Sequence, residues 1–362
     1  MHILVTGGAG FVGSHAVRLL TNQGHEVSIY DNLSTGHSQL AEGFRLIEGD
    51  LCDGRMLGRA LAGVDVVMHF AASAYVGESV INPRKYFENN VQNGLRLLNG
   101  AVDAGVRRIV FSSTCAVYGI PSELPITEAT PCNPVNPYGA SKLFFERALQ
   151  AYDCAYGVKS VRLRYFNAAG ADESGGTGEL HVPETHLIPL ALEAAAGVRP
   201  DLEMFGDDYP TLDGTCVRDY IHVTDLGMAH VQAVDYLQDG DSVTLNLGNG
   251  RGYSVKEVIG AVERVTRSRV PVRVSARRAG DPPVLVASSK MAEQVLGWRP
   301  RRDLESIIAS AWHWMGSARR ASILSEEIAV SPLSTCEQSS GILLPSERDG
   351  LHPTLATVER AR

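Results

Sequence analysis

The sequence contains no long hydrophobic run and no excess of positive charge. None of its 362 residues lies in a stretch approaching the roughly eighteen apolar residues of a membrane-spanning helix. The apolar stretch after Met1 ends at Thr6, which is too early for a secretory signal peptide. The formal net charge is −8, so the basic footprint of nucleic-acid-binding proteins is missing. We therefore expect a cytoplasmic protein that has neither a membrane nor a nucleic acid as a partner.

Cysteine is scarce and irregularly spaced. The six cysteines are Cys52, Cys115, Cys132, Cys154, Cys216 and Cys336. No two of them have the Cys-x-x-Cys spacing of zinc knuckles and thioredoxin-type redox sites. A chain of this length can bury a sufficient core without disulfides. The sequence therefore predicts reduced thiols, and it gives no signal for a bound metal.

Short apolar runs alternate with helical patterns through the first half of the chain. We predict strands at residues 3–6, 27–30, 46–48, 64–69, 108–112 and 161–165, and helices at 15–22 and 84–104. Alternation with short connections is typical of parallel pairing and right-handed crossovers. The sequence therefore predicts an α/β fold built on a doubly wound parallel sheet.

The second half is less regular. We predict a first domain over residues 1–166, with returning segments from about 217–238, and a smaller substrate-binding lobe mainly over 167–316. Within this lobe we predict a loop at 171–184 and helices at 187–197, 255–266 and 291–296. Residues 317–362 include eight serines and show no sustained periodicity, so we expect a poorly ordered tail.

Glycines recur at Gly7, Gly10 and Gly13, between the first predicted strand and helix. A pyrophosphate needs bare backbone N–H groups and a helix N-terminus at such a turn. Asp31 follows at the end of the second strand, where a carboxylate accepts both ribose hydroxyls of NAD and repels the 2′-phosphate of NADP. The pattern predicts a Rossmann-type NAD site, and the adjoining Phe11 and Val12 belong to it. The alternative is a glycine-rich turn followed by a solvated Asp.

Two further strand ends, together with the residue after Asp31, supply candidate cofactor contacts. Asp50 follows the third strand, where a carboxylate can hold the adenine amino group or simply cap a turn. Small residues after the fourth strand allow the cofactor to pass close, although tight core packing explains them equally well. The complete set for these strand ends is Asn32, Asp50, Leu51, Phe70, Ala71 and Ala72.

Tyr138 and Lys142 lie four residues apart in a predicted helix that follows Asn136 and Pro137, so they share one face. A lysine ammonium and a positively charged nicotinamide both favour the phenolate, which lowers a tyrosine pKa that is ordinarily about 10. Tyr138 is therefore a candidate acid and base. Thr114, at the end of the fifth strand, can bond a sugar oxygen and share its proton with Tyr138, or can be an ordinary strand-end hydroxyl.

Longer motifs occur in order along residues 1–316. They are Thr6-Gly7-Gly8-Ala9-Gly10-Phe11-Val12-Gly13, Asp31-Asn32-Leu33, Val76-Gly77-Glu78-Ser79, Asn89-Asn90-Val91, Asn136-Pro137-Tyr138-Gly139, Arg164-Tyr165-Phe166-Asn167, Val217-Arg218-Asp219-Tyr220-Ile221-His222-Val223 and Arg277-Arg278-Ala279-Gly280-Asp281. With these motifs the chain resembles the extended short-chain dehydrogenase/reductase family, and within it the nucleotide-sugar 4-epimerases.

The resemblance implies roles for individual residues. Tyr138 would be the catalytic base, Lys142 would hold the nicotinamide ribose, and Thr114 would assist proton transfer. Asn89 and Tyr165 would lie against the cofactor. The residues implied to hold UDP are Asn167, Phe205, Arg218, Arg278 and Asp281. Arginines suit this task because their forked guanidinium groups bind a diphosphate strongly.

At a few positions the chain departs from related sequences. Ala74 stands where a lysine often contacts the cofactor. His186, which precedes Leu187, stands where asparagine is frequent, and it can still donate to a phosphate or a sugar. Leu285 is intermediate between the bulky tyrosine of members limited to glucose and galactose and the small residue of members that admit N-acetyl sugars. Both His186–Leu187 and Leu285 are implied to contact the substrate, and the sugar range stays open.

The resemblance implies reversible, NAD-dependent inversion at C4 of UDP-glucose and UDP-galactose through a transient 4-keto sugar. It also implies a homodimer, formed through residues 84–104 and the helix that starts at Tyr138. Alternatives are a 4-epimerase of UDP-xylose/arabinose or of a UDP-N-acetylhexosamine, a nucleotide-sugar dehydratase, and a non-catalytic NAD-binding scaffold. A dehydratase needs a carboxylic acid pair after Thr114, whereas Cys115 and Ala116 follow it here.

Overall fold

The structure is a computed structural model that describes residues 1–278 and 281–330. Its strands are β1 (His2–Thr6), β2 (Glu26–Asp31), β3 (Arg45–Glu48), β4 (Val66–His69), β5 (Arg108–Thr114), β6 (Lys159–Tyr165), β7 (Asn167–Ala169), β8 (Leu202–Phe205), β9 (Val217–His222), β10 (Val243–Leu247), β11 (Gly252–Ser254), β12 (Val272–Ser275) and β13 (Val284–Leu285). The α-helices are α1 (Phe11–Asn22), α2 (Gly54–Ala60), α3 (Val76–Ile81), α4 (Pro83–Tyr86), α5 (Gly94–Asp103), α6 (Pro137–Tyr156), α7 (Leu187–Ala195), α8 (Val223–Tyr236), α9 (Val255–Thr266), α10 (Lys290–Leu296), α11 (Leu304–Met315) and α12 (Ala318–Val330). Short 3₁₀ turns lie at Ser38–Ala41 and Cys115–Tyr118, and a π-helical segment at Phe87–Asn93 joins α4 to α5.

The large sheet has seven strands in the order β3-β2-β1-β4-β5-β6-β10, and every neighbouring pair is parallel. Alternate residues of β1 serve opposite faces: Ile3 and Val5 join one core cluster, while Leu4 joins another. A strand buried on both faces explains why β1 is almost continuously apolar. The predicted doubly wound α/β fold is confirmed.

Helices cover both faces of this sheet. On one face Val17 of α1 and Leu226 of α8 belong to the same buried cluster. On the other face Leu57 of α2, Leu97 of α5 and Phe145 of α6 are buried together. The carboxyl ends of the strands are thereby left as the edge at which loops can hold a ligand, as is general for open parallel sheets.

The second half of the described chain contains two smaller sheets. β9 is the centre of one, with β11 on one side, β13 on the other, and β7 also paired to it. β8 and β12 form the other. The strand that returns to the large sheet is β10, which pairs with β6. β10 lies beyond residues 217–238, the segment that was predicted to return to the first domain. Within that segment, β9 belongs to the small sheet and α8 covers the large one.

The end of the described chain is helical. A poorly ordered tail was expected over residues 317–362, and this expectation stays a prediction beside the helix α12. Arg319 donates a hydrogen bond to the carbonyl oxygen of Gln39 (2.7 Å), and Ile323 is 2% exposed. Met1–Ile323 form one compact unit and a second unit begins at Leu324, so the division near residue 167 stays a prediction. Residues 331–362 lie outside the described part.

No helix among the described residues is long and apolar enough to cross a membrane.

A buried ion pair ties α6 to β6. The Arg164 guanidinium donates to both carboxylate oxygens of Glu146, with Nη2 to Oε2 at 2.5 Å and Nε to Oε1 at 2.9 Å. The Glu146 side chain, only 3% exposed, also accepts from the Ser113 hydroxyl (2.5 Å). The helix α6, which carries Tyr138 and Lys142, is therefore fixed to β5 and β6 one turn after Lys142.

We predict that Glu146→Gln lowers the free energy of unfolding by about 3–5 kcal/mol, because it leaves the buried Arg164 charge uncompensated. Urea denaturation measures this loss. Glu305→Gln removes the carboxylate of an exposed pair with Arg264 (3.0 Å) and should cost less than about 1 kcal/mol. Equal losses for the two variants would contradict the account of this ion pair.

Candidate active site

The turn between β1 and α1 is closely packed on one side and open on the other. Gly7 has φ +73°, and a Cβ there would lie 2.5 Å from the Ala71 nitrogen. A Cβ at Gly13 would clash with the Gly7 carbonyl oxygen. At Gly10, by contrast, a Cβ would meet only that oxygen, at 3.4 Å. The bare backbone and the N-terminus of α1 thus form a cradle with room for a pyrophosphate.

Residues around this cradle lie where the sequence places them. Phe11 and Val12 begin α1, and Val12 packs against the core. Ala71 and Ala72 follow β4 directly, as does Phe70, whose ring lies 4.7 Å from that of His230. The close approach of Gly7 to the backbone of Ala71 shows that the two strand ends pack tightly at this point. A small-residue passage for the cofactor stays a prediction.

Asp31 is held by the glycine turn. Its carboxylate accepts from the backbone N–H of Ala9 (3.0 Å) and of Leu33 (2.9 Å), and the residue is 7% exposed. Burial raises the pKa of Asp31, while these two hydrogen bonds oppose the rise. Each carboxylate oxygen accepts one backbone N–H and keeps a further acceptor site. The arrangement fits a ligand that donates hydroxyl protons.

Asn32 and Asp50 are brought together at the next strand end. The Asn32 amide donates to Asp50 Oδ2 (2.7 Å), and Asp50 Oδ1 accepts from the Cys52 N–H (2.8 Å). The second bond is the turn cap that the sequence offered as an alternative. Leu51 is 6% exposed and belongs to the core cluster under α2. Any contact of Asp50 or Leu51 with a cofactor therefore adds to a structural role.

Tyr138 lies in the first turn of α6, at the carboxyl end of β5. Asn136 caps this helix by accepting from the Gly139 N–H (2.8 Å), with Pro137 at the first position. Tyr138 is 8% exposed and lies beside the hydroxyl of Thr114, the last residue of β5. Burial and the neighbouring Tyr165 raise the pKa of Tyr138, whereas the Thr114 hydroxyl opposes the rise. The protein alone thus favours the neutral phenol.

Lys142 projects from the same helix face into the core. Its ammonium donates to the Ser112 carbonyl oxygen (2.8 Å) and lies 4.9 Å from the centre of the Phe111 ring. Burial lowers the pKa of Lys142 to about 7, although the charge of Glu146 opposes this. Lys142 has two further N–H groups for a ligand at this strand end.

The π-helical segment carries Asn89 and Asn90. The Asn89 amide donates to the Ser73 hydroxyl (3.2 Å), after β4. Asn90 is 3% exposed; its amide donates to the Ser73 carbonyl (3.0 Å) and to the Ser141 hydroxyl (3.0 Å). The sequence motif contained Asn90 but gave it no role. Asn90 connects this segment to α6 between Tyr138 and Lys142, and π-helical segments often occur at functional sites.

Tyr165 ends β6 beside β5. Its hydroxyl accepts from the Ser112 hydroxyl (2.9 Å), and burial raises the pKa of Tyr165. Ser112 therefore contacts Tyr165 with its side chain and Lys142 with its carbonyl oxygen. The sequence gave Ser112 no specific role, since a hydroxyl in a strand is common. Its position between Tyr165 and Lys142 makes it a supporting residue of the site.

The residues predicted to hold UDP gather around β9. The Arg218 guanidinium donates to Asp281 (2.5 Å), and Leu285 of β13 is in register with Arg218. Asn167 of β7 donates to the Asp219 carbonyl oxygen (2.8 Å). The guanidinium of Arg278 lies 3.9 Å from the centre of the Phe205 ring, as in a cation–π pair. Three of the five residues predicted to hold UDP, Asn167, Arg218 and Asp281, are thus on β9, on a strand paired with it or in contact with it, whereas Phe205 and Arg278 contact each other at β8.

The UDP side adjoins the Tyr138 side. Cys115, which follows Thr114, packs in one apolar cluster with Leu143 of α6 and Leu285. Arg218 lies close enough to Cys115 for its charge to lower the thiol pKa, although burial dominates and raises that pKa to about 12. The structure therefore places Arg218 and Leu285 beside the residue that follows Thr114.

His186 lies at the start of α7, and Leu187 is the first helical residue, packed against the apolar cluster of α7 and α9. His186 contacts Glu179 and Glu184, and His181 lies beside them. Burial would lower the pKa of His186, but these two carboxylates raise it to about 10. The sequence predicted this stretch only as a loop before a helix and missed the cluster, since residues 179 to 186 have no metal or catalytic motif spacing.

Comparisons with known proteins agree with this geometry. The sequence pattern described as "NAD dependent epimerase/dehydratase family" matches residues 3–248. A UDP-glucose 4-epimerase of Rhizobium meliloti (strain 1021) is 50% identical over 316 residues, which are 86% of this chain and 96% of that protein. A UDP-glucose 4-epimerase of Streptococcus mutans is 49% identical over 324 residues, 88% of this chain and 97% of that protein.

Solved structures give the same result. The chain is similar to UDP-glucose 4-epimerase from Brucella ovis in complex with NAD, with a TM-score of 0.84, 50% identity and coverage of 86% of this chain and 98% of that one. It is also similar to the enzyme from Bifidobacterium longum in complex with NAD+ and UDP, with a TM-score of 0.84, 39% identity and coverage of 88% and 99%. On this evidence the chain belongs to the NAD dependent epimerase/dehydratase family.

Proposed function

We propose that this protein is an isomerase that interconverts UDP-glucose and UDP-galactose by NAD-dependent inversion at C4, through a transient 4-keto sugar. The observation that carries the proposal is the buried Tyr138, beside the Thr114 hydroxyl at a strand end, with Lys142 one helical turn away. The Rhizobium and Streptococcus relatives are named UDP-glucose 4-epimerase. Their names do not favour the pentose, N-acetylhexosamine, dehydratase or scaffold alternatives.

The cofactor site is the glycine cradle with Asp31. The cradle leaves the backbone open at Gly10, and the two Asp31 oxygens accept hydroxyl protons, which fits the pyrophosphate and ribose of NAD. When bound, NAD would accept a hydride from C4 of the sugar and place a positive charge near Tyr138. Lys142, Asn89 and Tyr165 would hold its nicotinamide half.

Tyr138 handles the proton of the sugar 4-hydroxyl. The phenol of the protein alone has a raised pKa, so positive charge beside it is what makes Tyr138 a base. The Thr114 hydroxyl accepts a hydrogen bond from the Ala116 N–H (3.1 Å), which fixes its position. There it would lie between Tyr138 and the sugar oxygen and assist the proton transfer. The same Tyr138 returns the proton after inversion, as an acid.

Inversion requires that UDP stays bound while the sugar turns. Arg218 and Arg278 bear the charges that can hold a diphosphate, and Phe205, Asn167 and Asp281 complete the set. The residues assigned to the sugar are Thr114, Tyr138, His186, Leu187 and Leu285. Leu285 and Leu187 offer apolar contact without fixed hydrogen bonds, which leaves the sugar ring free to reorient.

The test is incubation of the purified protein with UDP-galactose and no added NAD. We expect UDP-glucose to form, because a cofactor that is regenerated in every turnover needs no exchange. Denaturation of the same sample should release NAD in a stoichiometric amount. NAD release without conversion would refute the proposed substrate pair, and absence of both would refute the cofactor site.

We also propose a homodimer that uses the Phe87–Asn93 segment, α5 and α6. Phe87 and Phe144 are 44% and 49% exposed on these elements, and a second copy would cover them. Light scattering of the purified protein should give twice the chain mass of 39.0 kDa. A single-chain mass across the micromolar range would refute this proposal.

Finally, we propose a cytoplasmic location. Five of the six cysteines lie in the described part, and each is a free thiol there. Free thiols are typical of reducing compartments. Fractionation of the source cells tests this, and recovery outside the cytoplasm would refute it.

A further inference from the structure

Four side chains that follow Thr177 converge at one point. They are Glu179, His181, Glu184 and His186. One atom from each, either imidazole nitrogen or carboxylate oxygen, lies within 4.8 Å of all the others. The cluster is separate from the glycine cradle and from the Arg218 group, and the resemblance implied a substrate role for His186 alone.

The donor atoms lie close enough together to share one ion. Glu179 Oε1 lies 3.0 Å from His181 Nδ1 and 2.6 Å from His186 Nδ1. Glu184 Oε2 lies 3.8 Å from His181 Nδ1, and Glu184 Oε1 lies 3.2 Å from His186 Nδ1. Four ligands at zinc distances of about 2.0–2.2 Å in a tetrahedron would lie about 3.3–3.6 Å from one another, so the two Glu179 contacts would lengthen when an ion binds.

A second observation is that the short contacts inside the cluster are poorly directed. Glu179 Oε1 lies 2.6 Å from His186 Nδ1, yet Glu179 Oε1 and His181 Nδ1 are buried without a hydrogen bond of acceptable geometry among the described residues. The Glu179 side chain is only 7% exposed. A buried carboxylate oxygen without a directed donor costs free energy, and a bound cation would offset that cost.

We propose that Glu179, His181, Glu184 and His186 bind one divalent transition-metal ion, for which Zn²⁺ is the best match. Two carboxylates balance the charge of such an ion, and the metal would take the place of a proton on the imidazole nitrogens that it binds. The mixed nitrogen and oxygen donors suit zinc, whereas Mg²⁺ and Ca²⁺ prefer oxygen donors alone.

The ion would brace the loop beside the cofactor cradle. The Thr177 hydroxyl is 2.8 Å from that of Ser14, which directly follows Gly13. The Glu179 carbonyl accepts from the Trp314 indole (3.0 Å), and the Leu180 carbonyl is 3.1 Å from His37 Nε2. A metal bound to His186 Nδ1 would also leave Nε2 protonated. Nε2 would then donate a hydrogen bond, as the proposed contact of His186 with the substrate requires.

The test is metal content, measured by mass spectrometry after incubation of the whole protein with Zn²⁺ and removal of free ion. We expect about one equivalent per chain in the wild type and less than about 0.2 in His181→Gln. His25→Gln, the same substitution at a histidine outside the cluster, should retain the wild-type content. Loss of metal from both variants, or none bound by the wild type, would overturn the proposal.

A measurement without any variant guards against misfolding of His181→Gln. Chelator treatment of the wild type should lower Tm by about 5 °C, and Zn²⁺ added afterwards should restore it. An unchanged Tm together with no bound zinc would show that a proton on the cluster, and not a metal, balances its charge. Because neither readout uses UDP-sugar turnover, failure here is distinguishable from failure of the proposed reaction.

Discussion

Replacing Tyr138 with Phe should reduce the turnover of UDP-galactose by about 10²- to 10⁴-fold while NAD stays bound. The phenol hydroxyl is the group that exchanges a proton with the sugar, and general acid–base catalysis contributes on this scale. The ring itself fills a buried position that Phe also fits, since Tyr138 is 8% exposed. Steady-state turnover and the NAD released on denaturation measure the two parts of this prediction.

Tyr152→Phe is the matched control for this variant. Tyr152 lies on the same helix, and its hydroxyl donates to Asn99 (2.6 Å) away from the strand ends. We expect turnover near the wild-type value. If Tyr138→Phe kept wild-type turnover, or if the two variants lost the same amount, Tyr138 would not be the acid and base.

The second large effect concerns Arg218, which we expect to hold the UDP diphosphate. Arg218→Met should raise KM for UDP-galactose by roughly 30- to 1,000-fold, which corresponds to losing a charged partner worth about 2–4 kcal/mol. It also frees the Asp281 carboxylate that Arg218 now contacts, which would repel the diphosphate. Because the contact is made equally before and during inversion, kcat should change much less than KM.

Arg251→Met provides the comparison. Arg251 is exposed directly before β11, the strand beside β9, and its guanidinium stacks 4.9 Å from the centre of the Tyr253 ring. We expect an unchanged KM for this variant. A loss of kcat at constant KM in Arg218→Met would contradict the assignment of Arg218 to substrate anchoring.

The part of this account that could be predicted from the sequence is local. Gly7, Gly10 and Gly13 mark a turn, Asn136 and Pro137 mark a helix start, and a spacing of four places Tyr138 and Lys142 on one face. Each of these signals depends on a few consecutive residues, and the structure has each of these elements.

What the sequence missed depends on contacts between distant residues. β10 was not predicted because its buried Asn246 interrupts the apolar pattern. The Asn246 side chain accepts from the Tyr118 hydroxyl (2.7 Å) and donates to the Ile126 carbonyl oxygen (3.1 Å), and both partners are more than a hundred residues away. The π-helical segment likewise needs the Asn90 contacts to Ser73 and Ser141. The periodicity of apolar residues along the sequence carries no information about such distant partners.

The helix α12 and the Glu179 cluster were missed for the same reason. Arg319 and Ile323 are held by contacts with the rest of the compact unit, and not by a strong apolar stripe of their own. The four cluster residues have irregular spacing along the chain, and the loop brings them together. Composition predicted disorder for α12 because serine-rich segments often lack a core to pack against.

The most direct test of the account follows the hydrogen at C4. UDP-galactose that carries deuterium at C4 should give UDP-glucose with the deuterium still at C4, in ordinary water and with no NAD added. This result is expected because the hydrogen leaves and returns within one site, while Tyr138 handles only the hydroxyl proton. Replacement of the deuterium by solvent hydrogen would contradict oxidation and reduction at C4 as the central step.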